Sequence, residues 1–134
     1  MATVNISRDP DYSDLDLDFQ IHPVSKQLIK KTGADAVKRS IRNLIFTNYY
    51  ERPFKSEIGS NVTKLLFDNV DALTATFMED AITILINNFE SRVRLTNVTV
   101  KADIDNYGFN VLIEYVILNR EQPASFNLFL ERIR

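Results

Sequence analysis

Three aspartates alternate along one short stretch, Asp14, Asp16 and Asp18, and in the middle of the chain a glutamate stands next to or one residue from an arginine, in Glu51-Arg52 and in Glu90-Ser91-Arg92. These are the residues whose type and spacing could do chemistry. A glycoside hydrolase needs two carboxyls about 5–5.5 Å or 6.5–9.5 Å apart, one of them in a cleft that raises its pKa. Aspartates on one face of a strand can meet that spacing without a cleft, and no apolar wall adjoins them in the sequence. They are therefore expected to form the solvated acidic face of a strand. His22, next to Pro23, lacks an evident nucleophile and orienting partner and reads as a polar residue at a strand end. There is no cysteine, so thiolate metal sites, thiol nucleophiles and disulfides are excluded. One histidine is too few for an ordinary zinc site, and the 3 glycines are scattered rather than gathered in a phosphate loop. The sequence calls for no cofactor.

Arg52 has two readings. It can pair inside the fold, and Glu90 is the expected partner, pinning a central loop to the end of a helix. It can instead contact another subunit, together with Glu51. Phe54 and Phe67 are expected in the core, where large aromatics mostly go. Gly59 is expected to hold a backbone conformation that a side chain would deny.

The elements that would position these residues follow from periodicity. Leu15, Leu17, Phe19 and Ile21 alternate with the aspartates and Gln20, which predicts a strand with one buried face, ended by Pro23. Thr32-Gly33-Ala34-Asp35 fits a capping box ahead of a helix over about Ala34–Phe46, with Val37, Ile41, Leu44 and Ile45 inward. A loop over Thr47–Gly59 leads to Ser60, a potential cap for a short helix carrying Val62, Leu65, Leu66 and Phe67. Asp71 caps the next predicted helix, about Ala72–Phe89, whose expected stripe is Phe77, Ala81, Ile84, Leu85 and Phe89, widened by Met78, Ile82 and Ile86. Val98, Val100, Ala102 and Ile104 then alternate as a strand. Asn106-Tyr107-Gly108 signals a turn, with positive φ expected at the glycine. Phe109, Val111, Ile113, Tyr115 and Ile117 share one strand face, and Leu112, Val116 and Leu118 the other. A last strand is predicted over Phe126–Ile133. The fold class is α+β: an N-terminal strand, two to three helices packed on a mainly antiparallel sheet, and a C-terminal three-strand meander. One domain is expected over residues 1–134, with residues 1–13 a loose N-terminal arm.

Composition narrows the function classes. A 45% hydrophobic chain with 9 Phe and 5 Tyr can build a core without staples. A net charge of -2 and a pI near 5.4 argue against a nucleic-acid binder. No stretch reaches the roughly 18 apolar residues of a membrane span, and the first residues lack the apolar run of a signal peptide. The protein is expected to remain in the cytoplasm or to be assembled there into something larger. The basic residues Lys30, Lys31, Lys38, Arg39 and Arg42 are expected on a solvated face, with an acidic partner or the chain's own Asp14–Asp18 strand as alternatives.

The ordered set Thr47-x-x-x-Glu51-Arg52-Pro53-Phe54, Gly59-Ser60, Leu66-Phe67 and Glu90-x-Arg92 resembles the baseplate wedge proteins of contractile phage tails. That gene-25-like family includes the TssE component of type VI secretion baseplates. In two places the chain departs from the pattern: Tyr50 stands where the family commonly has glycine, and Ser91 where it has proline. The resemblance implies a non-enzymatic structural subunit of the inner baseplate, in several copies, bound to other wedge proteins and helping to start the sheath. It implies a virion tail location, with no nucleic-acid or membrane partner. It also implies a structural or contact role for Glu51, Arg52, Pro53, Phe54, Gly59, Glu90 and Arg92. Some relatives carry a lysozyme label, so a peptidoglycan-cleaving enzyme is the alternative. The final strand is expected at a sheet edge, where Phe126, Leu128, Phe129 and Leu130 could accept a strand from the sheath.

Overall fold

The structure, a computed structural model, describes residues 12–16, 18–118 and 122–133. Residues 1–11 of the arm expected over 1–13, and Leu17, lie outside these. Two short strands come first, β1 (Ser13–Leu15) and β2 (Lys30–Thr32), then helices α1 (Gly33–Phe46), α2 (Val62–Leu65) and α3 (Ala72–Phe89). Strands β3 (Val93–Asp103), β4 (Gly108–Ile117) and β5 (Gln122–Glu131) complete the chain as an antiparallel meander with β4 in the middle. The α+β class and the C-terminal sheet agree with the sequence reading.

The core lies between the sheet and the helices. Val37, Ile41, Leu44 and Ile45 of α1 and Met78, Ile82, Leu85 and Ile86 of α3 are buried with Phe109, Val111, Ile113, Tyr115 and Ile117 of β4. Each fully buried side chain of this size stabilises by about 1.5–3 kcal/mol. Tyr115 and Phe126 meet edge to face, with ring centroids 6.2 Å apart. The face expected for α3 is rotated. Phe77 and Ile84 are exposed, as is Leu73. The helix is apolar on nearly every side, so periodicity cannot choose the face that packing on the sheet selects.

Two predicted caps differ in detail. Asp71 accepts from the Thr74 N–H at 2.7 Å, as a cap should. Thr32 precedes α1 but makes no side-chain cap bond. Instead Gly33 takes φ 62 and donates its N–H to the Tyr12 carbonyl at 2.7 Å. Ser60 does not cap α2 as its flanking residue. Asn61 holds the cap position, but the Ser60 hydroxyl donates to the Ile45 carbonyl at 2.9 Å and its oxygen accepts from the Val62 N–H at the start of α2 at 3.4 Å.

The strands also correct the sequence reading. β3 begins at Val93, ahead of the predicted Val98, because its register shifts between Leu95 and Asn97. That bulge moves the core-facing series from Val93 to Val98 and Val100 and breaks the alternation on which the prediction rests. In the β3–β4 turn the positive φ falls on Tyr107, φ 51, and not on Gly108. Gly108 is required for space: an added Cβ would lie 2.5 Å from the Phe129 ring. β5 starts at Gln122, ahead of the predicted Phe126, and so includes Pro123.

The ladder parity assigns each backbone group. The Arg132 N–H donates to the Tyr107 carbonyl at 2.8 Å, one step past the Gly108–Glu131 pair. On the other side the Leu118 N–H donates to the Arg92 carbonyl at 3.1 Å, one step past Val93–Ile117. Bonded pairs alternate in an antiparallel ladder. The even-numbered residues of β5 therefore bond to β4, and Ser125, Asn127, Phe129 and Glu131 direct their backbone groups outward. Pro123 falls in the same outward series, where a missing N–H breaks no ladder bond. On β3 the outward N–H of Val100 meets the Glu79 carboxylate of α3 at 3.4 Å.

Candidate functional site

α3 ends at a buried carboxylate. The Glu90 N–H still donates to the Ile86 carbonyl at 3.0 Å, while its side chain turns inward and is only 4% exposed. Arg92 grips it with both arms of the guanidinium: Nε to Oε1 at 2.7 Å and Nη2 to Oε2 at 2.9 Å. The Ser40 hydroxyl of α1 donates to Oε2 at 2.6 Å. Burial pushes the Glu90 carboxyl up, but the hydrogen bonds from Arg92 and Ser40, with the Arg92 charge, outweigh it and hold the pKa below the ordinary value. Arg92 is correspondingly shifted upward, chiefly by its bond to Glu90. The fork and a 3.4 Å bond from the Arg92 N–H to Oε1 brace a turn that has Ser91 in place of proline.

Arg92 also reaches across the chain. Its Nη1 donates to both Asp14 oxygens, at 3.2 and 3.0 Å, and its guanidinium lies 5.7 Å from the centre of the Tyr12 ring. Farther along, Arg39 of α1 bonds Asp16 at 2.9 Å and Asp18 at 2.7 Å, with Lys31 3.8 Å from Asp16. The Asp18 pKa is lowered, first by its hydrogen bond with Arg39 and then by that charge. The N-terminal ribbon of β1 and β2 is thus clamped to α1 and to the α3–β3 corner by alternating charges.

This overturns several expectations. Of the three aspartates expected on a solvated face only Asp16 is buried, at 2% exposed; the side chains of Asp14 and Asp18 stay 41% and 59% exposed while paired with arginines, and Leu15, Phe19 and Ile21 also point to solvent. The predicted strand to Ile21 does not form: β1 ends at Leu15, Phe19 takes φ 50, and Arg39 and Arg92 draw in the carboxylates in place of the apolar side chains. Ser13 is strand and Tyr12 packs against the core, so neither belongs to a loose arm. The basic residues divide: Arg39 pairs with the aspartates, Lys38 lies 5.7 Å from the Phe126 ring, and Arg42 lies 5.9 Å from the Phe46 ring. With Lys31, Asp18, Asp35 and Asn43 they line an open concavity of about 630 Å³.

The Thr47–Gly59 loop follows another logic. Glu51 accepts from the Asn48 N–H at 2.8 Å, inside its own turn. Arg52 and Pro53 are exposed, and Arg52 makes no ion pair among the described residues. The expected Arg52–Glu90 pair does not form, because Arg92, two residues from Glu90, already fills both carboxylate oxygens. Phe54 and Phe67 are exposed, contrary to the core expectation. Tyr50 and Phe54 both take φ 67. Gly59 matters through close approach: an added Cβ would lie 2.5 Å from the Asn48 carbonyl carbon. At β5, Phe126 and Leu130 are buried, Leu128 is half-buried, and Phe129 is exposed on the opposite face. Sequence reasoning missed Asp14, Asp16, Arg39 and Ser40 as parts of the corner. Their one signal was the pairing of acidic and basic runs, which was weighed only as an alternative.

Among the described residues no group of three or more His, Asp or Glu side chains could hold a metal ion. No helix among them is long and apolar enough to cross a membrane. The arrangement ties elements together through charge pairs, with exposed surfaces left at the loop and at the β5 edge. The chain belongs to the gp25 family of baseplate wedge proteins, structural subunits of contractile tail systems: the family model matches residues 31–122. Baseplate wedge protein gp25 of Enterobacteria phage T4 is 30% identical over 108 residues, which is 81% of this chain and 81% of the relative. Among solved structures, the anti-feeding prophage baseplate contains a chain with TM-score 0.64 and 16% identity, covering 92% of this chain and 88% of that one. The post-contraction baseplate of pyocin R2 gives TM-score 0.57 and 19% identity over 73% of this chain and 96% of that one. A crystal structure of a candidate tail lysozyme from Geobacter sulfurreducens shares the fold, with TM-score 0.68 at 18% identity over 75% of this chain and 91% of that one.

Proposed function

We propose that this wedge subunit joins other wedge proteins in the inner baseplate and starts the tail sheath by accepting a sheath strand at the outer edge of β5. It works without catalysis, in several copies per virion baseplate, after assembly in the host cytoplasm. One observation carries the reading. The two edges of the main sheet are unlike: at β3 the Glu79 carboxylate meets an outward N–H within the strand, whereas β5 itself pairs with no further strand among the described residues and is met only past its end, where the Ile133 N–H donates to the Leu66 carbonyl at 3.0 Å. Ser125, Asn127, Phe129 and Glu131 offer a row of donors and acceptors that an extended segment can match. Phe126, Leu128 and Leu130 would hold the strand to the core, and Phe129 would set register from the other face. Against the enzymatic alternative, Asp14, Asp16, Asp18 and Glu90 are all engaged by arginines, and the lowered pKa values of Asp18 and Glu90 favour the ionised form over that of a general acid.

Asn127→Pro tests the edge. It removes an outward donor and no internal ladder bond, so the variant should fold and enter baseplates. Particles carrying it should lack full-length sheath. Normal sheath on those particles would refute strand addition. Leu128→Pro serves as the control, because it breaks a bond to β4 and should lower stability itself.

A further inference from the structure

The loop from Asn48 to Gly59 is closed by its own bonds. Asn48 bridges Ser60, the Ser60 N–H donates to Thr47 at 2.9 Å, and the Tyr50 N–H donates to Ser56 at 3.0 Å. Further bonds run from Glu51 to Asn48 at 3.3 Å and from Ile58 to Lys55 at 3.2 Å. Gly59 packs directly on the Asn48 backbone. The loop therefore has a defined shape without help from a neighbour. Its tip nevertheless places apolar groups in water. Tyr50 is 86% exposed and Phe54 is fully exposed, each in the left-handed region that favours glycine. An isolated subunit gains nothing from two exposed aromatics on strained backbone. A bound subunit does, since a preformed shape needs no ordering on association.

The charges indicate what it binds. Glu51 is turned back onto the Asn48 N–H, so its carboxylate stays within the loop. Arg52 and Lys55 project without an ion pair among the described residues, and Glu57 lies on the return limb. Tyrosine and arginine are the residue types that dominate binding energy at protein interfaces, and phenylalanine is enriched at their centres. A guanidinium two residues in sequence from each of two exposed aromatics can pair with a planar carboxylate at the rim of an apolar depression. We propose that this loop is a preformed anchor that inserts Tyr50 and Phe54 into an apolar pocket of another baseplate protein and sets Arg52 against a carboxylate on that pocket's rim. The proposal rests on the baseplate reading above and deepens it.

The test uses the full chain in cells that make the complete tail gene set. A benzophenone amino acid replaces Phe54, and after irradiation the cross-linked peptide is identified by mass spectrometry. The expected product joins this chain to one other tail protein, in an apolar segment next to an Asp or Glu. Arg52→Glu should lower incorporation into particles about tenfold, and a lysine in place of the partner's carboxylate should restore it. Purified Arg52→Glu and Phe54→Ser should melt like the parent. Cross-links confined to a second copy of this chain would overturn the proposal. So would wild-type incorporation of Phe54→Ser, or binding of a single-stranded DNA oligonucleotide that the variants lose. Absence of the parent chain from particles would sink the baseplate reading and the anchor with it. Parent and Phe54→Ser equally present would sink the anchor alone.

Discussion

Two glutamate–arginine motifs, Glu51-Arg52 and Glu90-x-Arg92, have opposite fates. At the α3–β3 corner Glu90 and Arg92 turn inward, find each other, and recruit Ser40 and Asp14. In the loop Glu51 folds back onto its own turn, and Arg52 is left in solvent. Residue type does not decide between them. The corner places its side chains where α1, α3 and the N-terminal ribbon converge, so an unpaired charge there would be stranded from water. The loop has no element over it. One motif holds the molecule together; the other is free for contact with a neighbour.

Arg92→Ala should break this contrast most severely. It leaves the Glu90 carboxylate buried and unmatched and releases Asp14, for a loss of about 3–5 kcal/mol in urea unfolding. Arg52→Ala should change stability by no more than about 0.5 kcal/mol. Equal effects would mean that the corner charges are no more structural than the loop charges. Gly59→Ala comes next. The new methyl would meet backbone rather than a flexible side chain, so the base of the loop must shift, at about 1–3 kcal/mol.

Much of the scaffold was legible. Both long helices, the Asp71 cap and the alternation of β4 follow from local rules, because those segments bury one face against a partner of ordinary kind. The corner was half legible. Glu90 and Arg92 stood out, but Arg92 was not assigned as the partner of Glu90, since two residues at close spacing face each other only where the chain turns. The ribbon was misread because period-two alternation identifies two faces without saying which is buried. Hydrophobicity assigned the leucine and phenylalanine side to the core, and Arg39 of α1 and Arg92 of the α3–β3 turn draw the carboxylates inward instead. Phe54 defeated the same rule, since nothing local distinguishes an aromatic meant for a partner from one meant for the core.

Acid sharpens the comparison further. The Glu90 pKa is lower folded than unfolded. Its contribution is therefore complete above the unfolded value of about 4.3 and is lost as pH falls through the folded value. Asp18, Asp71 and Asp103 are shifted the same way, so the parent should destabilise steadily below that point. Glu90→Gln should start lower and fall less steeply in urea melts between pH 7 and pH 3. An unchanged slope would show that the corner carboxylate does not contribute to the acid response.

The smallest effect is the most telling about the loop. Tyr50 holds φ 67, where an L side chain costs roughly 1–2 kcal/mol and glycine costs nothing sterically. Tyr50→Gly removes that strain and adds roughly 0.5–1 kcal/mol of unfolded-state entropy. Because the ring is exposed, little burial is lost. The variant should be as stable as the parent or up to about 1 kcal/mol more stable, while entering particles less well. A clear loss of stability would mean that the ring supports the loop from within. The loop would then belong with the corner as a structural device, and the contrast between the two Glu–Arg motifs would rest on Arg52 and Phe54 alone.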